Sequence, residues 1–442
     1  MKLKENVFSV KNDGFYKIIS IFGKKYKIKN KNRIIETLEK EVQNYEVYTK
    51  IQHNYKNVVE RLRKKVKSEK INIIFMQNEP QKWGYDTLYQ TFKNSKAFSP
   101  KIIVYPRLRT HNNKDKTMMS LEDQYRFFKD RGYDVEYAYK DNKYIDIKNF
   151  NPDIIFLPQI SEIEGFDNPE ILSEYALLAY VSYAFEMTDY KKNYLPHFHR
   201  LLHTYFVEDN LNIERYEGYK KYNSNNCYNS GTPKLDVYLN KKEIKLEKYW
   251  KNPEKFKIIY APHHSIDQGV FNFSTFKQNG KFILDLAKKH PETTWIFKPH
   301  PMFKYKIIQS GFMTEKEIND YYREWAEVGK IYDSGDYFDI FKSSDLMITD
   351  CSSFLAEYLP SKHPLIRLCR EDSLKLNKLG EKITSQYYNS FNNETLNNLF
   401  TDIVINKQDA KKEERIELAN SMFNHNQTAT EKIYSYFLEL LI

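Results

Sequence analysis

The sequence predicts two α/β halves, each built on a parallel sheet and facing the other across a cleft, with a long amphipathic helix ahead of them. Three observations carry this. From residue 71 short apolar runs alternate with helical stretches, the mark of a parallel sheet. A second such series starts at residue 256. Before both, apolar residues recur in steps of three and four over residues 31–69, so one face of a helix is apolar. At 442 residues the chain is too long for one ordinary core.

The elements follow in order. Residues 1–30 hold Ile18, Ile19, Ile21 and Phe22 with lysines after them, which reads as a small basic hairpin or arm. Next comes the helix, with Ile34, Leu38, Val42, Tyr45, Tyr48, Ile51, Tyr55, Val58, Leu62 and Val66 on one side. It would span about 60 Å. Its end is basic (Arg61, Arg63, Lys64, Lys65, Lys67), as helix C-termini often are, and suits an anionic membrane surface. Buried strands are expected at 71–76, 101–105 and 153–157, with a helix at 121–130. The second series has strands at 256–261, 294–298, 346–349 and 365–368, with helices at 280–289 and 315–327. A polar stretch at 223–230 marks the join. The expected division is an arm and helix (1–70), a first Rossmann-like half binding the acceptor (71–210) and a second binding the nucleotide (211–442). A final helix over 413–442 would cross back to the first half.

Composition narrows the classes. Hydrophobic residues make 41%, enough for packed interiors, and 13 Gly with 15 Pro exclude collagen-like and linker-rich chains. Cys227, Cys351 and Cys369 are too few and too scattered for a disulfide framework or a cysteine zinc site. No secretion signal and no apolar run of membrane-spanning length is visible, so a cytoplasmic location is expected, with peripheral contact at the inner membrane face. The net charge of +10 favours anionic partners. It also opens a nucleic-acid-binding reading, which no binding motif supports. Glycine-rich nucleotide loops, H-E-x-x-H and D-x-D are absent.

What remains are polar residues just after second-half strands, the edge where open α/β sheets bind ligands. His263 and His264 follow Tyr260-Ala261-Pro262. Lys298 and His300 lie in Lys298-Pro299-His300-Pro301. Asp350, Ser352 and Ser353 stand where a strand turns into a helix that carries Glu357, a suitable cradle for phosphate. Gly231 and Thr232 open a turn with Lys234.

Together these segments resemble the CDP-glycerol glycerophosphotransferase family, enzymes that prime and extend teichoic acids and related capsule polymers. The resemblance rests on Gly231-Thr232-Pro233-Lys234-Leu235-Asp236, Tyr260-Ala261-Pro262, Lys298-Pro299-His300-Pro301 and Gly335-Asp336-Tyr337. It continues through Asp350-Cys351-Ser352-Ser353 to Glu357-Tyr358, Lys362-His363-Pro364 and Thr428-Ala429-Thr430-Glu431. It covers roughly residues 175–435 and is closest to a capsule-associated branch. It implies a GT-B fold, a CDP-activated donor, a polysaccharide or lipid-linked polymer acceptor, release of CMP, and no cofactor. It also implies that His300 and the Asp350–Ser353 turn act at the diphosphate, with Lys298, His264, Gly231, Thr232 and Glu357 around the donor.

The Trp-His-Gly-Thr-Pro segment that polymerases of this family carry is absent. Here the chain reads Tyr180-Val181-Ser182-Tyr183-Ala184-Phe185 and then Leu195-Pro196-His197-Phe198-His199-Arg200. The catalytic base is therefore open among His300, His263, His264 and His199. His197, His199 and His203 together suggest a zinc site only weakly, since no carboxylate in the stretch completes a triad. The alternative enzyme is a GT-B glycosyltransferase that moves a sugar from a nucleotide sugar, for which the same cradle would serve.

Overall fold

The structure, a computed structural model, describes residues 8–13, 16–21, 24–29, 31–106, 120–158, 168–189, 199–218, 225–240, 243–266, 271–333, 335–423 and 427–442. The chain opens with an antiparallel meander of β1 (Phe8–Asp13), β2 (Tyr16–Ile21) and β3 (Lys24–Lys29). One helix then runs from Lys31 to Lys65.

The first half holds β4 (Ile71–Gln77), β5 (Phe98–Val104), β6 (Val135–Tyr137), a small hairpin of β7 (Tyr139–Lys140) and β8 (Lys143–Tyr144), then β9 (Ile154–Phe156), β10 (Leu177–Val181), β11 (Thr204–Val207) and β12 (Cys227–Asn229). Its sheet runs β6-β5-β4-β9-β10-β11-β12 and is parallel throughout. The second half holds β13 (Phe256–Ala261), β14 (Thr293–Phe297), β15 (Gly329–Ile331), β16 (Leu346–Thr349), β17 (Leu365–Leu368) and β18 (Tyr388–Ser390). Its sheet, also parallel, runs β15-β14-β13-β16-β17-β18. Both orders reverse beside the first strand, at β4/β9 and at β13/β16, which is the Rossmann arrangement. The central strands are apolar runs because helices cover both faces of each sheet. Every residue of β9, β10, β14 and β16 is buried.

The long helix is not a detachable arm. Ile51, Tyr55, Val58 and Leu62 are buried in the core of the first half. Tyr55 Oη donates to the Leu201 carbonyl. Asp153, at the start of β9 and 1% exposed, accepts from Lys65 Nζ (2.6 Å), Arg61 Nη1 (3.1 Å) and the Asn72 amide (2.8 Å). Two of the cations expected to face a membrane thus pin the helix to the sheet. The expected boundary at residue 70 therefore falls within one packed unit.

The expected last helix over 413–442 is two, Lys412–Phe423 and Ala429–Leu441. The second is closed at its start by a reciprocal Thr428–Glu431 capping box. Its Ile433, Phe437 and Leu441 lie in the first-half core. The halves are thus joined twice, once by the turn Pro233–Leu239 and once by this returning helix.

Asp153→Ala should lower unfolding stability by about 2–3 kcal/mol, since it leaves Lys65 and the Asn72 amide without their buried acceptor. Arg61 is half-exposed and adds little to that loss. A urea titration read by circular dichroism checks the shift in midpoint.

Candidate active site

The second sheet places three of the sequence motifs side by side. Strands β14, β13 and β16 are neighbours, so the segments leaving their C-terminal ends share one edge. The ladder continues past the strands: the Lys298 amide donates to the Tyr260 carbonyl (2.8 Å) and the His300 amide to the Pro262 carbonyl (3.4 Å). This stacks three imidazoles. His264 and His300 lie ring on ring at 3.9 Å, and His263 is 4.3 Å from His264 and 6.1 Å from His300.

Their protonation follows from their partners. His263 Nδ1 accepts the Ser265 amide and His300 Nδ1 the Met302 amide, each at 3.1 Å. Each neutral ring therefore keeps its proton on Nε2, as a donor. Burial, then the neighbouring rings, pushes His263 well below the usual histidine range. Burial takes His264 down to about 4, and burial with the fields of His264 and Lys298 takes His300 down to about 3. At neutral pH all three are uncharged hydrogen-bond donors and weak bases.

Lys298 supplies the charge. It is 5% exposed, and its Nζ sits 4.7 Å from the Tyr337 ring centre and 5.3 Å from that of Phe354. Burial lowers its pKa to about 8, so the ammonium lacks the stabilisation a phosphate would give.

Asp350 serves the protein itself. One carboxylate oxygen accepts the His263 amide; the other accepts the Thr275 amide (2.6 Å) and hydroxyl (2.9 Å). It ties two loops across the switch point and so holds the histidines in place. Glu357 is likewise committed, accepting from Lys234 Nζ (2.8 Å) and the Tyr337 hydroxyl. Ser352 and Ser353 open the helix Ser352–Glu357. Ser352 borders a small cavity with Asp350, Phe273, Arg367, Arg370 and Leu376. The two arginines escaped the sequence reading, although cations at the end of the strand expected at 365–368 were the available signal. Gly231, at φ 75° in the left-handed region that suits glycine, and Thr232 lie where the first half hands over to the second.

His199 belongs to the other half. It is fully buried, with its ring 4.6 Å from Tyr205 and 5.3 Å from Tyr216. His203 Nδ1 is 2.8 Å from the Thr204 hydroxyl, and its ring packs on Tyr55. His197 lies outside the described residues. Among the described residues no group of three His, Cys, Asp or Glu side chains is placed to hold a metal ion.

Residues 202–436 match the family model of CDP-glycerol:poly(glycerophosphate) glycerophosphotransferase, which is more than half of the chain. The chain belongs to this family. The match covers every strand of the second sheet, including the histidine edge, and makes the protein a transferase of glycerophosphotransferase type. Solved structures share the two-half GT-B fold at low identity. MnaA of S. aureus, solved with UDP, superposes with a TM-score of 0.56 at 12% identity, covering 84% of this chain and 98% of that one. The UDP-GlcNAc 2-epimerase of Methanocaldococcus jannaschii gives 0.53 at 14%, covering 84% and 99%. The wall teichoic acid polymerase TagF gives 0.52 at 14%, covering 89% and 97%. No curated protein matches the sequence.

If Lys298 meets a diphosphate here, nucleotide affinity should fall as pH rises through and above about 8, where the free ammonium loses its proton. Lys298→Met should weaken CDP binding about 10-fold or more and abolish that pH dependence. Calorimetric titration with CDP between pH 6.5 and 9.5 checks both.

Proposed function

We propose that the protein moves glycerol phosphate, or a similar phospho-alcohol, from a CDP-activated donor to a hydroxyl of a cell-surface polysaccharide or teichoic-acid-like polymer, and releases CMP. The observation that carries this is the family match over the half whose sheet edge gathers Lys298 and three neutral histidines at the switch point. Such an edge suits a diphosphate: one buried cation and several N–H donors oppose its charge without needing protonation.

The acceptor oxygen forms a bond to the phosphorus that carries the alcohol. The bond from that phosphorus to the bridging oxygen breaks, and its electron pair leaves on CMP. His300 and His264 act as donors to the diphosphate, Lys298 balances the charge on the leaving group, and Asp350 keeps the histidine loop in register. Ser352, Ser353, Arg367 and Arg370 line the same edge, and Gly231 and Thr232 border it from the crossing.

Glycosyl transfer from a nucleotide sugar is the second reading. The likeness to MnaA, solved with UDP, favours it, since the same fold there holds a uridine nucleotide. Product analysis separates the two: CDP-glycerol with an acceptor should yield CMP, whereas a glycosyltransferase would yield a nucleoside diphosphate from a nucleotide sugar.

Attachment to the inner face of an anionic membrane fits a polymer acceptor. Lys64, Lys67 and Lys96, which border an open hollow beside the end of the long helix, support it. Among the described residues no helix is long and apolar enough to cross a membrane.

His300→Ala should weaken donor binding and turnover together, each about 10-fold, as loss of a phosphate contact does. The acid side of the pH–rate profile should not move, because His300 titrates well below it. Steady-state CMP release and CDP titration on the folded variant check this. Unchanged affinity with a turnover loss above about 100-fold would make His300 a base instead.

A further inference from the structure

The donor-half histidines are poor bases, which leaves the acceptor hydroxyl's proton without a destination. The opposite edge, on the first sheet, offers one. Glu208 directly follows β11, and Glu186 lies just beyond β10, both at the C-terminal side where such sheets bind ligands. Glu208 is buried, at 7% exposed, and the Glu186 side chain is 9% exposed.

Their partners differ. Glu186 Oε2 accepts from Arg215 Nη2 (2.7 Å) and the Tyr216 hydroxyl (2.9 Å), and Oε1 faces the Tyr205 hydroxyl at 3.5 Å. Glu208 Oε2 accepts from Asn212 Nδ2 (3.0 Å), whereas its Oε1 is shielded and has no well-formed hydrogen bond, the nearby Ser182 hydroxyl giving its proton to the Ala184 carbonyl. A second buried acceptor, Asn78 Oδ1, is left in the same state just past the end of β4. Buried acceptors without partners at a ligand-binding edge are suited to a hydroxyl donor.

The location adds to this. Residues 182–189 reach from β10 onto the donor half before the chain returns to β11. Asn377 Nδ2 donates to the Glu186 carbonyl, the Asn377 amide to the Met187 carbonyl (3.0 Å), and Thr188 bridges to Leu376. Leu376 borders the cavity that holds Asp350 and Ser352. The carboxyl pair therefore stands where the first half meets the donor edge.

We infer that Glu208, held beside Glu186 at the crevice edge of the first sheet, takes the proton from the attacking acceptor hydroxyl; this rests on the phosphotransfer reading above. The hydroxyl oxygen bonds to phosphorus, its proton passes to Glu208 Oε1, and CMP departs with the electron pair of the broken bond. The groups facing the pair include Tyr180 on β10, Ser182 after it, Tyr205 on β11, and Asn212, Arg215 and Tyr216 on the helix Asn210–Gly218, with His199 packed on the two rings. Arg215 faces the carboxylates as a cation and sits on Glu186. Burial first, and then the field of Glu186, pushes Glu208 up to about 8, while burial outweighs Arg215 and raises Glu186 to about 7. The pair shares a proton at neutral pH, and its basic form grows as pH rises through about 8.

The test uses the full chain, CDP-glycerol and a short poly(glycerophosphate) primer, with CMP release as the readout. For the wild type, kcat at saturating CDP-glycerol should climb with pH and level off above about 8, whereas kcat/KM should fall again there as Lys298 loses its proton. Glu208→Gln should lower turnover about 10²–10⁴-fold, keep CDP affinity within about twofold, and flatten the climb. Glu186→Gln should keep the climb but move its inflection to lower pH, because Glu208 then faces Arg215 without a competing carboxylate; this decides the matter if Glu208→Gln does not fold. A Glu208→Gln enzyme within threefold of wild type, or an inflection unmoved in Glu186→Gln, overturns the inference while CMP release by the wild type upholds the function. A wild type that releases no CMP overturns the function itself and the inference with it.

Discussion

The facing of the two halves depends on one carboxylate. Asp236, in the turn where the chain leaves the first half, accepts the amides of Ala429 (3.1 Å) and Thr430 (2.8 Å) at the start of the returning helix. An anion at a helix N-terminus is favourable twice over, through unsatisfied amides and through the helix dipole. Burial raises the Asp236 pKa, and the bonds from Thr430 and Ala429 oppose that rise. Thr87 adds to the junction: its hydroxyl meets that of Thr430 at 2.8 Å and the Pro233 carbonyl at 3.4 Å. Beside it, Lys234 reaches Glu357 in the second half. Both crossings of the chain thus meet at one polar knot, which fixes how one sheet edge faces the other.

Within that frame the halves divide the chemistry by charge. At the donor edge burial keeps the histidines neutral, and the charge rests on Lys298, Asp350, Arg367 and Arg370. That edge can oppose a diphosphate with fixed dipoles that need no rearrangement during reaction. The first-half edge carries carboxyls that hold their protons near neutrality. An acid–base group and a phosphate cradle on separate halves avoid the mutual pKa shifts that would follow if both shared one edge.

Much of this was legible in the sequence. The second-half strands were read within a residue of their observed bounds, because β13, β14, β16 and β17 are short apolar runs bounded by polar turns. The short or edge strands β6, β12, β15 and β18 carry too few residues for a pattern. The placement of the candidate residues was readable where motif and strand end coincide, as at Lys298–Pro301. It was misleading at Asp350, whose place at a turn gives no hint that both its oxygens are taken by Thr275 and His263. Glu186 and Glu208 had no local signature at all. Their character comes from burial against Tyr180, Tyr205 and Tyr216, and only the fold assembles that. The inward pairing of Arg61 and Lys65 at the basic end of the long helix was hidden for the same reason, since Asp153 is 88 residues from Lys65 in sequence.

The returning helix sets a condition on biosynthesis. Ile433, Phe437 and Leu441 complete the hydrophobic interior around β4 and β9, so that interior stays open on the ribosome until the second half has been made. The second sheet, by contrast, draws all its strands from one continuous stretch of chain. The half synthesised second can therefore close first. Meanwhile the nascent first half exposes aromatic surface, including Phe92 and Phe156, that Phe437 later covers. Vectorial folding, N-terminus first, is the usual order for multidomain chains. This topology reverses it and places the aggregation hazard in the earliest-made residues.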